Sequence, residues 1–346
     1  MAKIKILFLG DAKAHSNAHH RCQALRRIGC EVVQIDPEAS LGLGRLTRAL
    51  NYRTGYFFAA MRVRAHVLKL VSGQKYDLAW VDCGQSISGR LIEDLRRNCR
   101  YIINYNTDDP TGTRDGLRWG SFRRAIPHYD LLAVVRDKNI AEFRRRGARK
   151  VIRVYMSYDP VAHAPLTMFP AELAKWSTDV AFIGTWMPER GPFLKEVLDR
   201  GIPLTIFGDG WHKSKKWGRT KPNFRPPPYG RDYVAAVQSA KICLGLVSKG
   251  NRDLHTTRSL EIPFIGTLLC AERTSEHLGL YAEDTEAVFW SGAEECALKC
   301  ADLLQHPAKR VKIAAAGRAK VQQLRLSNDA VLEAILAIVF PALPNR

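Results

Sequence analysis

The sequence predicts an α/β protein made of two Rossmann-like, doubly wound parallel-sheet domains. Short continuous apolar runs alternate with helix-period segments along the chain. A proline-bearing stretch at 157–178, with no fixed period, interrupts the alternation, which then restarts. At 346 residues the chain exceeds one core and suits two domains.

KIKILFLG (3–10) is a continuous apolar run, the mark of a parallel strand covered on both faces. Its basic start invites comparison with a signal peptide, but no small-residue cleavage site follows, and Gly10-Asp11 begins a turn at once. Ala18, Cys22, Leu25 and Ile28 fall at helical spacing over 17–28, and EVVQID (31–36) is the next strand. From 45 to 72, Leu46, Leu50, Phe57, Met61, Leu68 and Val71 lie among six basic residues, predicting one or two amphipathic helices. Strand DLAWVD (77–82), helix SGRLIEDLRR, strand YIINYN (101–106) and loop TDDPTGTRDG follow. LLAVV (131–135), helix KNIAEFRRRG with its terminal glycine, and KVIRVYM (150–156) complete the half.

After the linker come strand DVAFIGT (179–185), helix GPFLKEVLDRG, and strand and turn PLTIFGDGW. The Pro- and Lys-rich segment 212–228 reads as a loop, RDYVAAVQSA as a helix and KICLGLVS as a strand. TTRSLEIPFIG reads as a helix cut short by Pro263, and TLLCAE as a strand. Helices are expected near 293–305 and 307–325, and the tail NDAVLEAILAIVFPAL reads as one more. The boundaries that result are 1–165, 166–325, and a C-terminal helix over 326–346 that packs back on the first domain. Two such sheets facing across a cleft would take ligands at the carboxyl ends of their strands.

Composition narrows the classes. Hydrophobic residues make up 46% and charged residues 25%, which excludes disorder, and no apolar stretch nears the ~20 residues of a membrane span. Eight cysteines without a Cys-x-x-Cys pair read as buried free thiols in a reducing, cytoplasmic setting. The net charge of +19 is uneven: residues 1–165 hold 29 Lys and Arg against 15 Asp and Glu (+14), the rest 24 against 19 (+5). A basic first half points to an anionic partner: nucleic acid, an acidic glycan or other acceptor, or peripheral contact with an inner-membrane face. Nucleic acid is disfavoured, because the strands are too apolar for an exposed binding face and no helix-turn-helix pattern occurs.

The segment SKGNRDLHTTRSLEIPFIGTLLCAERTSEHL (248–278) carries the most chemistry. A strand ends in a polar, glycine-containing loop, and a helix is expected to start near Thr256-Thr257, its amides and dipole facing outward. Lys249, Arg252 and Arg258 add positive charge, His255 lies in the same loop, and the whole suits a diphosphate. Glu261 then stands ready to accept from two vicinal ribose hydroxyls. The plainer alternative is a capped helix with a solvated basic loop. GTWMPERG (184–191) is a strand-to-helix glycine turn where phosphate could approach Gly184 and Thr185. GDGW (208–211) ends a strand at the same edge, with Gly210 allowing close approach and Trp211 placed to pack on a base or cap the cleft; a tight turn with a buried tryptophan is the equal alternative. In the first half, His15 in GDAKAHSNAHHR and Asp109 in NTDDPTG are candidates for a general base, with a surface histidine and a capping turn as the plain alternatives.

The ordered blocks DVAFIGTWMPERGPFL, LTIFGDGWHK, KGNRDLHTTRSLEIP and GTLLCAERTSEHL resemble the CgeB-type glycosyltransferases, over 179–290 above all. The resemblance implies the GT-B fold, with an acceptor-side first domain and a donor domain gripping a nucleotide-diphosphate sugar of UDP or GDP type. It implies no metal or other cofactor, because helix dipole and cationic side chains neutralise the leaving diphosphate. Relatives of this broad group carry two acids eight positions apart beside the donor helix. Glu261 fills the second, ribose-binding place, and Asp253, a shorter acid, the first. Of their diphosphate-gripping basic pair, Arg190 matches the second member, and Thr185 replaces the first. Transfer to a glycan, lipid-linked or protein acceptor is the expected activity, with a non-catalytic nucleotide-sugar-binding protein as the alternative.

Overall fold

The computed structural model describes residues 3–41, 44–214, 217 and 222–341. The chain forms two compact units, one of residues 1–155, 250–252 and 328–346, the other of 156–249 and 253–327.

In the first unit the strands are β1 (Lys5–Leu9), β2 (Glu31–Ile35), β3 (Tyr76–Asp82), β4 (Cys99–Asn106), β5 (Leu131–Val134) and β6 (Val151–Arg153). They pair in parallel in the order β2-β1-β3-β4-β5-β6. Ile6, Leu7, Phe8 and Leu9 of β1 are all fully buried, as the unbroken apolar run requires of a strand covered on both faces. The helices are α1 (Asn17–Arg27), α2 (Arg45–Thr54), α3 (Ala60–Val71), α4 (Gly89–Leu95), α5 (Gly120–Ala125) and α6 (Asp137–Arg145). The basic segment at 45–72 is therefore two helices, parted where Gly55 and Tyr56 turn through positive φ (61° and 59°). KVIRVYM keeps strand geometry only over Val151–Arg153.

The second unit holds α7 (Pro170–Trp176), β7 (Thr178–Ile183), α8 (Arg190–Asp199), β8 (Leu204–Phe207), β9 (Asn223–Arg225), α9 (Arg231–Gln238) and β10 (Ala240–Gly245). Then come α10 (Arg258–Ile265), β11 (Leu268–Glu272), α11 (Ser275–Leu280), β12 (Val288–Trp290), α12 (Ala293–Gln305) and α13 (Pro307–Gln323). The parallel sheet runs β12-β11-β10-β7-β8-β9. Numbered within the unit this is 3-2-1-4-5-6, the dinucleotide-binding order, whose direction reverses between β7 and β10. Finally α14 (Asn328–Val339) lies on α1 of the first unit, where Arg27 donates to both carboxylate oxygens of Asp329 at 2.9 Å.

Pro263 does not cut α10 short, contrary to the sequence reading; the helix runs on to Ile265. A proline leaves the carbonyl four residues back without its helical donor. Here that carbonyl, of Ser259, accepts from the Tyr281 hydroxyl at 2.8 Å. Tertiary contact thus supplies the bond the proline removes.

Candidate functional site

In the second unit the loops that leave the carboxyl ends of β7 and β10 flank the reversal of strand order. The first, Gly184–Glu189, leads into α8, and the second, Leu246–Thr257, leads into α10. An open doubly wound sheet takes its ligand at such a point.

The β7 loop is tightly built. Gly184 donates its N–H to the Phe207 carbonyl at 2.9 Å, and its own carbonyl accepts from the Trp211 indole at 3.0 Å. Gly208 sits at φ 154°, and a Cβ there would lie 2.1 Å from the Gly184 carbonyl oxygen. The GDGW glycines therefore serve backbone approaching backbone, and Gly210, at φ 80°, turns the chain beside Trp186. Trp211 is only 5% exposed, edge-on to Phe182 at 5.9 Å and packed on Trp217 and Phe224. Of the two readings of GDGW, the tight turn with a buried tryptophan is the one seen: the ring belongs to the core and its one donor goes to Gly184. Thr185 is exposed, and its carbonyl accepts from Arg190 at 2.8 Å. Arg190 itself is buried at the start of α8, its guanidinium 5.5 Å from the Phe182 ring centre.

Thr257 is the residue at the N-cap of α10, but its side chain makes no capping bond. Ser259, inside the first turn, bonds back to the loop: its hydroxyl accepts from the Thr256 amide at 3.0 Å and donates to His277 Nε2 at 2.7 Å. His277 Nδ1 in turn donates to the Glu272 carbonyl at 2.6 Å, and burial drives the ring's pKa down to about 4, keeping it neutral. His255 is buried too. Its Nε2 accepts from the Met156 amide at 2.9 Å, so Nδ1 bears the proton and gives it to Glu276. Both ring nitrogens are engaged, so His255 ties the loop to Met156 and Glu276. Lys249 pairs with Glu272 but stays mostly exposed, and Asp253 is buried with its amide on the Ser248 carbonyl at 3.1 Å.

Glu261 is 1% exposed and is held by side chains of its own unit. Its Oε2 accepts from the Tyr233 hydroxyl at 2.7 Å and from Arg258, and Oε1 lies 3.7 Å from His163 Nε2. Burial alone would raise the Glu261 carboxyl; the positive charge of Arg258, with His163 and Tyr233, outweighs it and holds the pKa at about 2. Arg258 spans the boundary of this cluster, its guanidinium over the Tyr233 ring at 4.4 Å and its side chain 35% exposed. Its Nε is sheltered from solvent and has no hydrogen-bond partner among the described residues. Tyr233 and His163 were not legible as site residues: one sits in an ordinary helix, the other in the linker.

Arg252 proves to belong with the first unit. It donates to Asp109 at 2.5 and 2.7 Å and to Glu142 at 2.8 and 2.9 Å. Asn139 adds a bond to Asp109 at 2.8 Å, and the Gly112 amide another at 3.0 Å. Burial would raise the Asp109 carboxyl, yet these partners hold it below its usual range, and the Glu142 carboxyl, bonded to the same guanidinium, lies at about 2. Asp109 is thus a fully buried carboxylate that closes the turn to Gly112, and Arg252 is the cation paired with it. Asp108 faces Arg118 at 3.8 Å, so the two neighbouring carboxylates each have a cation. His15 is exposed in the loop after β1, just ahead of Ser16, the N-cap of α1. Near the same sheet edge lies a pair the sequence did not reveal: Arg21 donates to both oxygens of Asp82 at 2.6 and 2.7 Å, both side chains buried.

Residues 190–337 match the family described as Glycosyl transferase-like. No curated relative matches. Among solved structures, a sucrose-phosphate synthase from Thermosynechococcus elongatus is 14% identical, with a TM-score of 0.72 over 99% of this chain and 100% of that one. HepE of Anabaena, in complex with UDP-glucose, is 13% identical, with a TM-score of 0.68 over 97% and 99%. A glycosyltransferase from Rickettsia africae is 13% identical, with a TM-score of 0.65 over all of both chains. The fold is that of the GT-B glycosyltransferases.

Proposed function

We propose that this protein is a metal-independent glycosyltransferase of CgeB type that moves a sugar from a nucleotide diphosphate, UDP or GDP, to a hydroxyl acceptor. One observation carries the reading. Arg258 stands at the start of α10, beside the reversal of strand order, with a sheltered Nε–H that has no partner among the described residues. A cationic donor so placed, at a helix N-terminus, suits the diphosphate of a donor nucleotide. The family match over 190–337 and the UDP-glucose held by HepE on the same fold support it.

In the reaction the acceptor oxygen bonds to the anomeric carbon, the bond from that carbon to the diphosphate oxygen breaks, and the acceptor proton passes to a base. Arg258, Lys249 and the first turn of α10 stabilise the negative charge that develops on the leaving group. Gly184 and Thr185 offer backbone beside it. Glu261 acts through Arg258, fixing the guanidinium, and Tyr233 and His163 fix Glu261. Asp253 is the acid within this loop, and His15 is the candidate base of the first unit. Metal independence has structural support in the pairing of Asp108 and Asp109 with arginines. The setting is cytoplasmic and the acceptor a glycan or other anionic molecule.

Calorimetry with UDP, GDP and their sugars tests the donor site and identifies the base. Release of nucleoside diphosphate, with and without EDTA, tests turnover. Micromolar binding and EDTA-resistant turnover are expected. Binding without turnover on any acceptor would favour the non-catalytic reading, and turnover restored by manganese alone would overturn metal independence.

A further inference from the structure

The corner between α2 and α3 spends backbone strain to put large apolar side chains in water. Gly55 and Tyr56 both adopt positive φ, and a Cβ on Gly55 would meet the Leu117 carbonyl at 2.4 Å. Ser121 locks the turn by donating its amide and hydroxyl to the Gly55 carbonyl at 3.0 and 2.7 Å. Tyr56 is buried as the anchor. The next residues face outward: Phe57 is 62% exposed, Phe58 67% and Met61 78%, with Leu50 and Leu46 also exposed on α2. The two phenylalanine rings meet edge to face at 5.4 Å.

Burying none of these side chains forgoes stabilisation that a folded chain normally takes, and exposed apolar clusters of this kind mark interaction surfaces. The charge around the cluster says with what. No Asp or Glu occurs from residue 39 to 76, while seven Lys and Arg do. Arg53, Arg62 and Lys69 are exposed, and the Arg124 guanidinium lies 5.7 Å from the Phe57 ring. The side chains of Arg45 and Arg48, also counted in this basic segment, lie outside the described residues.

We propose that the α2–α3 corner docks on a bilayer containing anionic lipid, Phe57, Phe58 and Met61 entering the headgroup boundary while the basic residues meet lipid phosphates. Protruding aromatics and a methionine ringed by Lys and Arg are the composition of an interfacial anchor. A soluble acidic polymer would use the charges but gain little from the apolar tips. Among the described residues no helix is long and apolar enough to cross a bilayer, so the contact is with its surface. This inference does not rest on the transferase reading.

The test is co-sedimentation of the full chain with vesicles of phosphatidylcholine, with or without phosphatidylglycerol, in the absence of nucleotide. Binding is expected to the anionic vesicles alone and to weaken at high salt, where charges are screened within ~3 Å at 1 M. Phe57→Ser with Phe58→Ser should cut the partition about tenfold or more, from the transfer free energy of the two rings. Arg53→Gln, Arg62→Gln and Lys69→Gln together should cut it roughly a hundredfold, at about fivefold per charge. All five residues are exposed, so unchanged melting shows that the variants are folded. No binding to anionic vesicles, equal binding to neutral ones, or binding indifferent to the phenylalanine pair overturns the proposal. Capture by a soluble acidic polysaccharide that is lost in the charge variant but kept in the phenylalanine variant would reassign the surface to a glycan.

Discussion

Replacing Arg258 with methionine keeps an unbranched side chain and removes the guanidinium that lies over Tyr233, so paired stability and binding measurements separate what the charge does for the fold from what it does for a nucleotide. Glu261 is 1% exposed, and its pKa falls from 4.5 to about 2 in the folded chain. A shift of that size is worth about 3 kcal/mol, shared among Arg258, His163 and Tyr233. Arg258 makes the closest ionic contact, so Arg258→Met should cost about 2 kcal/mol at pH 7 and lower the melting temperature by about 4–8 °C. The sign follows from the depressed pKa. This stabilisation is complete above the unfolded carboxyl pKa and is lost as pH falls towards 2. The gap between parent and variant should therefore narrow from pH 5 to pH 3. Nucleotide binding should suffer separately, by about 1.5–3 kcal/mol for lost bonds to a charged group, or roughly 10–150-fold in UDP affinity. Calorimetry and melting curves on the same preparations read both. A variant that melts earlier yet binds UDP as the parent does would make Arg258 a purely structural residue and move the donor site elsewhere. One that melts unchanged would refute the account of Glu261 as well.

Two further substitutions test neighbouring parts of the structure. Arg252→Met leaves the buried Asp109 carboxylate to Asn139 and one amide, and breaking such a pair costs about 3–5 kcal/mol, reduced here to about 2–3 because Arg252 remains 27% exposed. Urea titration should show that loss at pH 7, fading in acid as Asp109 and Glu142 protonate. UDP affinity should stay within a factor of about two, and a tenfold loss of UDP binding with normal stability would return Arg252 to the donor site. Gly208→Ala places a methyl group 2.1 Å from the Gly184 carbonyl oxygen, so backbone must shift at a cost above ~3 kcal/mol. Its melting curve should fall by about 6 °C or more, and a variant with the parent's melting curve would refute the close approach of the two turns.

The parts of the fold legible in the sequence were those where burial on both faces imposes a pattern. β1, β3, β7 and β11 each hold an unbroken apolar run of four residues at least, as burial on both faces requires. β9 is different: Asn223–Arg225 is a short edge strand with two exposed side chains, set among prolines, and it carries no period. β12 is apolar but only three residues long, below the length at which alternation can be read. At the site, the loop before α10 was readable from glycine, charge and helix onset. Which residue would face which was not. Asp109 and Arg252 stand far apart along the chain, and each alone looked like spare chemistry; only the fold shows that they satisfy one another. Pro263 misled for the same reason, since its missing hydrogen bond is made good by Tyr281.

The placement of α14 has a consequence for how the molecule is made. Its partner α1 emerges from the ribosome early, yet the residues that cover that face come after the whole second sheet. At about 5–20 residues per second, the roughly 170 residues between Tyr155 and Asn328 take on the order of 10–35 s to synthesise. Throughout that interval the first sheet has its strands but lacks its last helix and the Arg27–Asp329 bonds. A nascent chain stalled before Asn328 should present an unfinished apolar surface to chaperones, and release of the remaining residues should close it.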